Sequence, residues 1–384
     1  MSRSKRVRND RLHTECRVST TGDFRETTLN TQTFQADHLH VISRRILMAA
    51  GTPMHIADNV AEILINSNLA GHDSHGLLVL SERVDQITSG TVDATAEPVV
   101  VKETGATLTL DGNRGFGLHA ARTAMDRAIE KTKTSDVCCV GFRNMNHIGR
   151  IGEYAEAAAR AGCVALITFG AVGDNYSTIP FGGADGLLRT NPVTCAFPTG
   201  DDAPFLLDMA TSVVASGKIK VARSQGVDAP SGTIVDKDGV PTVKTEDFYD
   251  GGHLLTFGGH KGYGLSLMSA LYGGLVGNIE EDGSVVGEFM QVIRVEAFSP
   301  LEEYQAGVRK LLDKLKSSKP APGFDEVMVP GDFEARTRRA RLADGIELPN
   351  TVVSLIEERA EKFGVSMDVD EIPSDDTARY QRAE

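Results

Sequence analysis

The chain has 384 residues, 41% of them hydrophobic, and a formal net charge of −13. That length and apolar content allow a substantial core, in one large domain or two. The acidic balance excludes the electrostatic footprint of a nucleic-acid binder, and no apolar run is long enough to span a bilayer. The five cysteines, Cys16, Cys138, Cys139, Cys163 and Cys195, lack C-x-x-C spacing and mostly lie in apolar runs, so they read as buried thiols of a cytoplasmic protein.

Residues 1–33 carry Arg3, Lys5, Arg6, Arg8, Arg11 and Arg17 in a Ser/Thr-rich setting with no apolar face. No hydrophobic stretch follows to make a secretory signal; a disordered basic tail is expected, with an organelle transit peptide as the alternative. From Phe34 to Asn68, apolar residues recur at three- and four-residue spacing and predict two amphipathic helices broken at Gly51-Thr52-Pro53. The second helix delivers Gly71-His72-Asp73-Ser74-His75-Gly76, a cluster able to move protons near neutral pH. A helix expected over residues 77–87 would place His75 near a helix N-terminus, where free amides favour an anion. His72, Asp73 and His75 also raise a zinc hydrolase, but no partner ligands recur at metal spacing and no metal is expected.

Residues 99–101 and 107–110 are strand-like. Gly115-Phe116-Gly117-Leu118-His119-Ala120 then imitates a dinucleotide fingerprint before a helix expected over 118–131. The next strand, 137–141, lacks the ribose-binding acid, so the plainer reading is a helix-initiating turn. Asn146-His147-Ile148-Gly149-Arg150-Ile151-Gly152 precedes an alanine-rich helix over 153–161; glycines and an arginine at a helix start could cradle a phosphate. Strands are expected at 164–168 and 193–197, the second opened by Thr190-Asn191-Pro192. A strand at 205–207 ends on Asp208-Met209-Ala210-Thr211-Ser212, where open α/β sheets place ligands. Residues 218–256 read as hairpins and loops. Gly258-Gly259-His260-Lys261-Gly262-Tyr263-Gly264 feeds an apolar helix over 265–276, leaving Lys261 either facing a ligand or solvated. An amphipathic helix covers 301–315, Pro320-Ala321-Pro322-Gly323 breaks the chain, and Val329-Pro330-Gly331-Asp332 precedes a basic helical segment at 336–341 whose arginines read as a solvated face. From Ser366 the tail is acidic and expected to be disordered.

Five of these segments resemble, in order and spacing, the malate/L-lactate dehydrogenase family, which includes sulfolactate and ureidoglycolate dehydrogenases and is unrelated to Rossmann-type lactate enzymes. They are GHDSHG, NHIGRIG, TNP, DMATS through Lys218, and GGHKGYGL, within a resemblance covering residues 34–365. The motifs look closest to the hydroxycarboxylate dehydrogenase B branch, reductases of 2-oxo acids. The resemblance implies a non-Rossmann α/β fold, the malate/L-lactate (sulfolactate) dehydrogenase-like fold, with helical N- and C-terminal parts around a mixed-sheet cofactor domain. It divides the chain into a substrate and dimerisation domain of residues 34–145 plus 290–365, an inserted cofactor-binding domain of residues 146–289, and an acidic tail of residues 366–384. It further implies NAD or NADP, a small 2-oxo or 2-hydroxy acid substrate, and a homodimer.

Carried over by residue, the resemblance makes His75 the proton donor and acceptor and His147 a second acid/base candidate. It puts Ser74, Thr190 and Asn191 at the substrate. It puts Gly149, Arg150, Ile151, Leu206, Leu207, Asp208, Met209, Ala210, His260, Lys261, Pro330, Gly331 and Asp332 at the cofactor. Two positions depart from the family pattern. Val79 stands where many members have a carboxylate-binding arginine, leaving Arg83, one turn further on, or else Arg150 or the helix-start amides to bind the carboxylate. Arg189 stands where glycine commonly precedes TNP. A reductase of cyclic 2-imino acids on the same fold and a non-catalytic nucleotide-binding relative are the alternatives.

Overall fold

The computed structural model describes residues 30–201, 203–369 and 379–380. Strand β1 (Thr31–Phe34) leads into helices α1 (Ala36–Ala49), α2 (Met54–Leu69) and α3 (Leu80–Thr88). Then come β2 (Val99–Glu103), β3 (Thr107–Asp111), α4 (Gly117–Ser135), β4 (Val137–Arg143), α5 (Gly152–Arg160), β5 (Cys163–Val172), β6 (Val193–Phe197) and β7 (Phe205–Met209). A smaller unit follows: α6 (Ser216–Ser224), β8 (Ile234–Val235), β9 (Pro241–Thr242), α7 (Thr245–Tyr249) and β10 (His253–Leu254). The chain returns through α8 (His260–Gly273), β11 (Val285–Arg294), α9 (Leu301–Lys316), α10 (Asp332–Asp344), β12 (Ile346–Pro349) and α11 (Asn350–Lys362).

Seven strands form one mixed sheet in the order β2-β3-β4-β11-β5-β6-β7. Only β3 and β4 run parallel; the other neighbours are antiparallel. This is not the βαβ winding of a Rossmann sheet, whose strands are all connected by parallel crossovers. Helices α4 and α5 cover one face and α8 covers the other, while α1, α2 and α11 add an outer layer over α4. The main core runs continuously through these layers, from Leu39, Ile42 and Ile63 to Met125, Tyr154, Met290 and Ile356, all nearly inaccessible. A second, small core of Ile219, Ala229, Ile234 and Leu254 belongs to the β8–β10 unit. Residues 218–256 therefore have their own packing and are more than connecting loops. Both domain boundaries expected from the resemblance, after 145 and after 289, fall beside or inside strands of the single seven-stranded sheet.

Several sequence expectations change for identifiable reasons. Residues 31–33, assigned to the basic tail, pair with Glu347–Pro349 in an antiparallel ribbon, with Phe34 the first of the strand to turn inward; residues 1–29 of that tail, Cys16 among them, lie outside the described residues. Most of the acidic tail does so too, but of its described residues Tyr380 is buried against α1, its hydroxyl 2.7 Å from His40 Nδ1. The GFGLHA segment is a close crossing and no nucleotide loop: a side chain on Gly117 would overlap the Asn146 carbonyl, and one on Gly115 would come within 2.8 Å of the Ala96 carbonyl oxygen. Helix α8 begins at His260, five residues earlier than expected, which puts Lys261 in its first turn.

Candidate active site

The GHDSHG segment makes a 3-10 turn at Asp73–His75 and a second at Leu77–Val79 before α3 starts at Leu80. His75 therefore does not sit at the N-terminus of a regular helix. Its turn is shaped by Asn68, whose Oδ1 accepts the Leu77 amide at 2.8 Å while Nδ2 donates to Asp73 Oδ1 at 2.5 Å. Gly76 is obligatory there, since any side chain would overlap the Asn68 carboxamide. Arg341, on α10, clamps the same turn from outside with a bidentate pair to Asp73 at 2.6 and 2.9 Å and a bond to the Asn68 carbonyl. Arg338 donates to Asn66 Oδ1 at 3.0 Å. The basic segment at 336–341 is thus only half a solvated face: Arg336 and Arg339 are exposed, whereas Arg338 reaches α2 and Arg341 braces the histidine turn. The zinc triad also dissolves: His72 pairs with Glu334 at 3.0 Å, Asp73 with Arg341, and His75 with Ser74.

The imidazoles of His75 and His147 lie nearly parallel, their centroids 5.8 Å apart and their planes inclined by 19°. Two motifs 72 residues apart in the chain thereby bring their rings side by side. Their hydrogen bonds differ in kind. His147 Nδ1 lies 2.9 Å from Arg83 Nη2 and 3.2 Å from the Gly149 amide, both of which can only donate. That nitrogen must be an acceptor, so the ring is neutral and carries its proton on Nε2. Crowding by protein and then the Arg83 cation push the His147 pKa down to about 3. His75 Nδ1 instead meets the Ser74 hydroxyl at 2.9 Å, a group that donates or accepts by rotating. Burial lowers the His75 pKa below 6.5, and the nearby Asp208 carboxylate partly opposes it.

The remaining sequence candidates converge on the same region through main-chain links. The Gly152 amide at the start of α5 donates to Asp208 Oδ2 at 2.9 Å, and Thr194 donates to Oδ1 at 2.7 Å. The Thr211 amide donates to the Thr190 carbonyl, Phe257 to the Thr211 carbonyl, and Leu206 to the Pro330 carbonyl. NHIGRIG, TNP, DMATS, GGHKGYGL and the Pro330-Gly331-Asp332 loop are accordingly neighbours in space.

Five of the sequence candidates are committed to the protein itself. Asn191 is inaccessible and uses its whole amide to bracket Ala171 and Ser266, so its side chain cannot reach a substrate. Arg150 is buried and paired with Glu156 at 2.9 Å and Glu153 at 3.4 Å, while Asp208 caps α5. The expected phosphate cradle at 149–152 is filled by the chain's own carboxylates. Asp332 likewise accepts from Lys316 and from the Val329 amide. Arg83 is buried, with Nη1 on Gln86 at 2.8 Å and Nη2 on His147.

A dinucleotide needs cationic or amide partners for its phosphates, and those left available are elsewhere. Lys261 is exposed on the first turn of α8 and has no ion-pair partner among the described residues. Gly258 and Gly259, with φ of 57° and 62°, carry the chain into that turn. With the backbone of Leu206, Leu207, Met209 and Ala210 alongside, these groups fit an extended anionic cofactor. Arg189, the unexpected arginine, lies exposed with its guanidinium 4.7 Å above the Tyr176 ring, and its charge also bears on His147.

A mixed-sheet α/β protein with paired histidines is the class this architecture defines. The chain belongs to the malate/L-lactate dehydrogenase family, whose model matches residues 34–357. The malate dehydrogenase of Pyrococcus horikoshii is 37% identical over 345 residues, 86% of this chain and 95% of that one. Hydroxycarboxylate dehydrogenase B of Escherichia coli K12 is 36% identical, covering 82% of this chain and 90% of its own. Among solved structures, malate dehydrogenase from Entamoeba histolytica superposes with a TM-score of 0.81 at 27% identity over 88% of this chain and 99% of that one. Δ1-piperideine-2-carboxylate reductase from Pseudomonas syringae pvar. tomato does so with a TM-score of 0.74 at 28% identity over 86% and 100%.

Proposed function

We propose that this enzyme transfers hydride between a nicotinamide cofactor, NAD or NADP, and a small 2-oxo or 2-hydroxy acid, with His75 as the acid and base. The observation that carries the assignment is the unequal bonding of the two stacked rings. His147 is held neutral by two fixed donors, whereas the Ser74 hydroxyl accommodates either charge state of His75. In reduction, His75 gives its proton to the substrate oxygen; in oxidation it takes that proton back. His147 contributes its Nε2–H as a neutral hydrogen-bond donor to the same oxygen. When bound, the nicotinamide supplies or accepts the hydride. Lys261 and the backbone at 206–210 hold the cofactor. A homodimer is part of the same reading, supported by the uncovered apolar face of α8. The four described cysteines are unpaired, which supports a reducing, cytoplasmic setting.

Arg189 takes the substrate carboxylate in this reading. Arg83 has spent its Nη donors on Gln86 and His147, and Arg150 is ion-paired, whereas the Arg189 guanidinium is exposed beside the histidine cleft. The test of the whole assignment is His75→Ala with NADH and NADPH and a panel of 2-oxo acids. Cofactor binding, followed by fluorescence titration, should persist, and turnover should fall by about 10²- to 10⁴-fold. In the wild type, reduction needs protonated His75, so its rate should decline as pH rises through a pKa below 6.5, and oxidation should rise over the same range. Full turnover in His75→Ala would overturn the assignment.

The likeness to the Pseudomonas reductase supports a second reading, reduction of cyclic 2-imino acids, with His75 protonating nitrogen in place of oxygen. Turnover of a cyclic imino acid and none of any 2-oxo acid would select it. Cofactor binding without turnover of either class would instead mark a non-catalytic relative.

A further inference from the structure

Away from the histidine cleft, His55, Glu97 and His119 bring three donor atoms within 4.8 Å of one another. We infer that these residues form a divalent transition-metal site that ties α2, α4 and the segment before β2 together. His55 lies in the first turn of α2 and His119 in the first turn of α4. Glu97 sits between them: one carboxylate oxygen meets His55 Nε2 and the other lies 2.8 Å from His119 Nε2. The two rings stand edge to face, with centroids 5.8 Å apart and planes at 75°. Both imidazoles thus turn the same nitrogen, Nε2, toward a single carboxylate.

The surroundings match what a metal-binding imidazole requires. Histidine ligands are oriented by a partner on the second ring nitrogen. His119 is buried and has such a partner, the Asn59 carboxamide at 2.9 Å from Nδ1. An end-over-end turn of that amide presents its oxygen to an Nδ1–H and leaves Nε2 with a free lone pair. Glu97 is steadied through its carbonyl, which accepts from Asn113 Nδ2 at 2.8 Å. His55 and Glu97 are exposed, so the site opens to solvent and can keep a water as a further ligand.

Two nitrogens and a carboxylate select zinc or a neighbouring d-block ion over magnesium or calcium, which prefer all-oxygen sets. Metal–ligand bonds of about 2.0–2.1 Å in a tetrahedral site would space the donors by about 3.4 Å. The Nε2–carboxylate contacts need to widen only modestly to reach that spacing, and the exposed His55 and Glu97 side chains are free to do so. The site is also placed to matter for the cleft, because α4 begins at Gly117, whose missing side chain lets the Asn146–His147 backbone pass against it. A bound ion would pin the helix start on which the His147 loop rests.

The test is a titration of the full-length protein, stripped with chelator, with Co²⁺ and then Zn²⁺. We expect one equivalent of Co²⁺ to develop saturable visible bands of a nitrogen–oxygen site, which Zn²⁺ then displaces. Zn²⁺ should also raise the wild-type melting temperature. His55→Ala and Glu97→Gln, both exposed and so able to fold, should each weaken Co²⁺ binding by at least about tenfold and abolish the Zn²⁺ stabilisation. Turnover without added metal should be unchanged in both. Absence of a saturable band, or unaltered affinity in either variant, overturns the three-ligand site.

Discussion

Two fixed donors on Nδ1 make His147 a hydrogen-bond donor through Nε2 alone, and one of them is the Arg83 guanidinium. Arg83 should therefore act on turnover through the ring it holds. Arg189, exposed over Tyr176, should act on substrate affinity. Arg83→Ala is expected to lower kcat by about tenfold or more through loss of the oriented donor, with KM for a 2-oxo acid little changed. Arg189→Ala should raise KM by about tenfold or more, with kcat nearly intact, because a guanidinium–carboxylate pair acts in ground and transition states alike. Steady-state kinetics of the two variants check this, and a KM effect confined to Arg83→Ala would reverse the roles. At this scale the sequence identified His75 and His147 as candidates but did not rank them physically. The ranking came from Arg83 and the Gly149 amide, partners set by folding. Asn68, Glu334 and Arg341, which shape the His75 turn, left no local signal: they lie on α2 and α10, and only the packing of those helices brings them together.

Among the elements, α8 shows how a helix–sheet contact depends on residues without side chains. Gly170 on β5 and Gly287 on β11 are cross-strand neighbours, and α8 lies on this flat patch at Ala270 and Gly273. A Cβ on Gly170 would overlap the backbone at Ser269 and Ala270, which cannot move aside as a side chain would. Gly170→Ala should consequently cost about 1–3 kcal/mol, read as a lower urea midpoint, and a neutral result would refute the close packing. Beside this patch Tyr272 stacks on Phe289 at 4.5 Å. The helices were readable from apolar periodicity, α1, α2 and α9 nearly to their ends. Helix α10 is likewise legible over 336–341, but composition makes all its arginines look solvated, whereas Arg338 and Arg341 reach the α2–His75 region. In the β8–β10 unit the hairpin is legible, but its small core is not, because strands of two residues carry no periodicity.

For the molecule as a whole, one side of α8 carries an apolar stripe that is left largely open among the described residues. Gly264, Leu267, Met268, Leu271, Tyr272 and Leu275 follow one helical face, and Leu271 and Leu275 are each 66% exposed. An apolar stripe of that kind on a folded enzyme marks an association surface. In the proposed homodimer it meets a second copy, so sedimentation velocity should give a dimer for the wild type and a monomer for Leu271→Asp; a wild-type monomer would refute the interface. The sequence by itself determined most helices and strands and five motifs whose order resembles one enzyme family, because periodicity and motif spacing are local properties. Only the tertiary structure decided that those motifs share one cleft and that the sheet runs unbroken across the expected domain boundaries. It alone showed that Arg150 and the Gly152 amide are taken by Glu153, Glu156 and Asp208 instead of a phosphate, and that His147 Nδ1 meets only donors while His75 Nδ1 meets a hydroxyl. Each of these depends on contacts between residues distant in sequence, and no local pattern encodes the distance between two such groups.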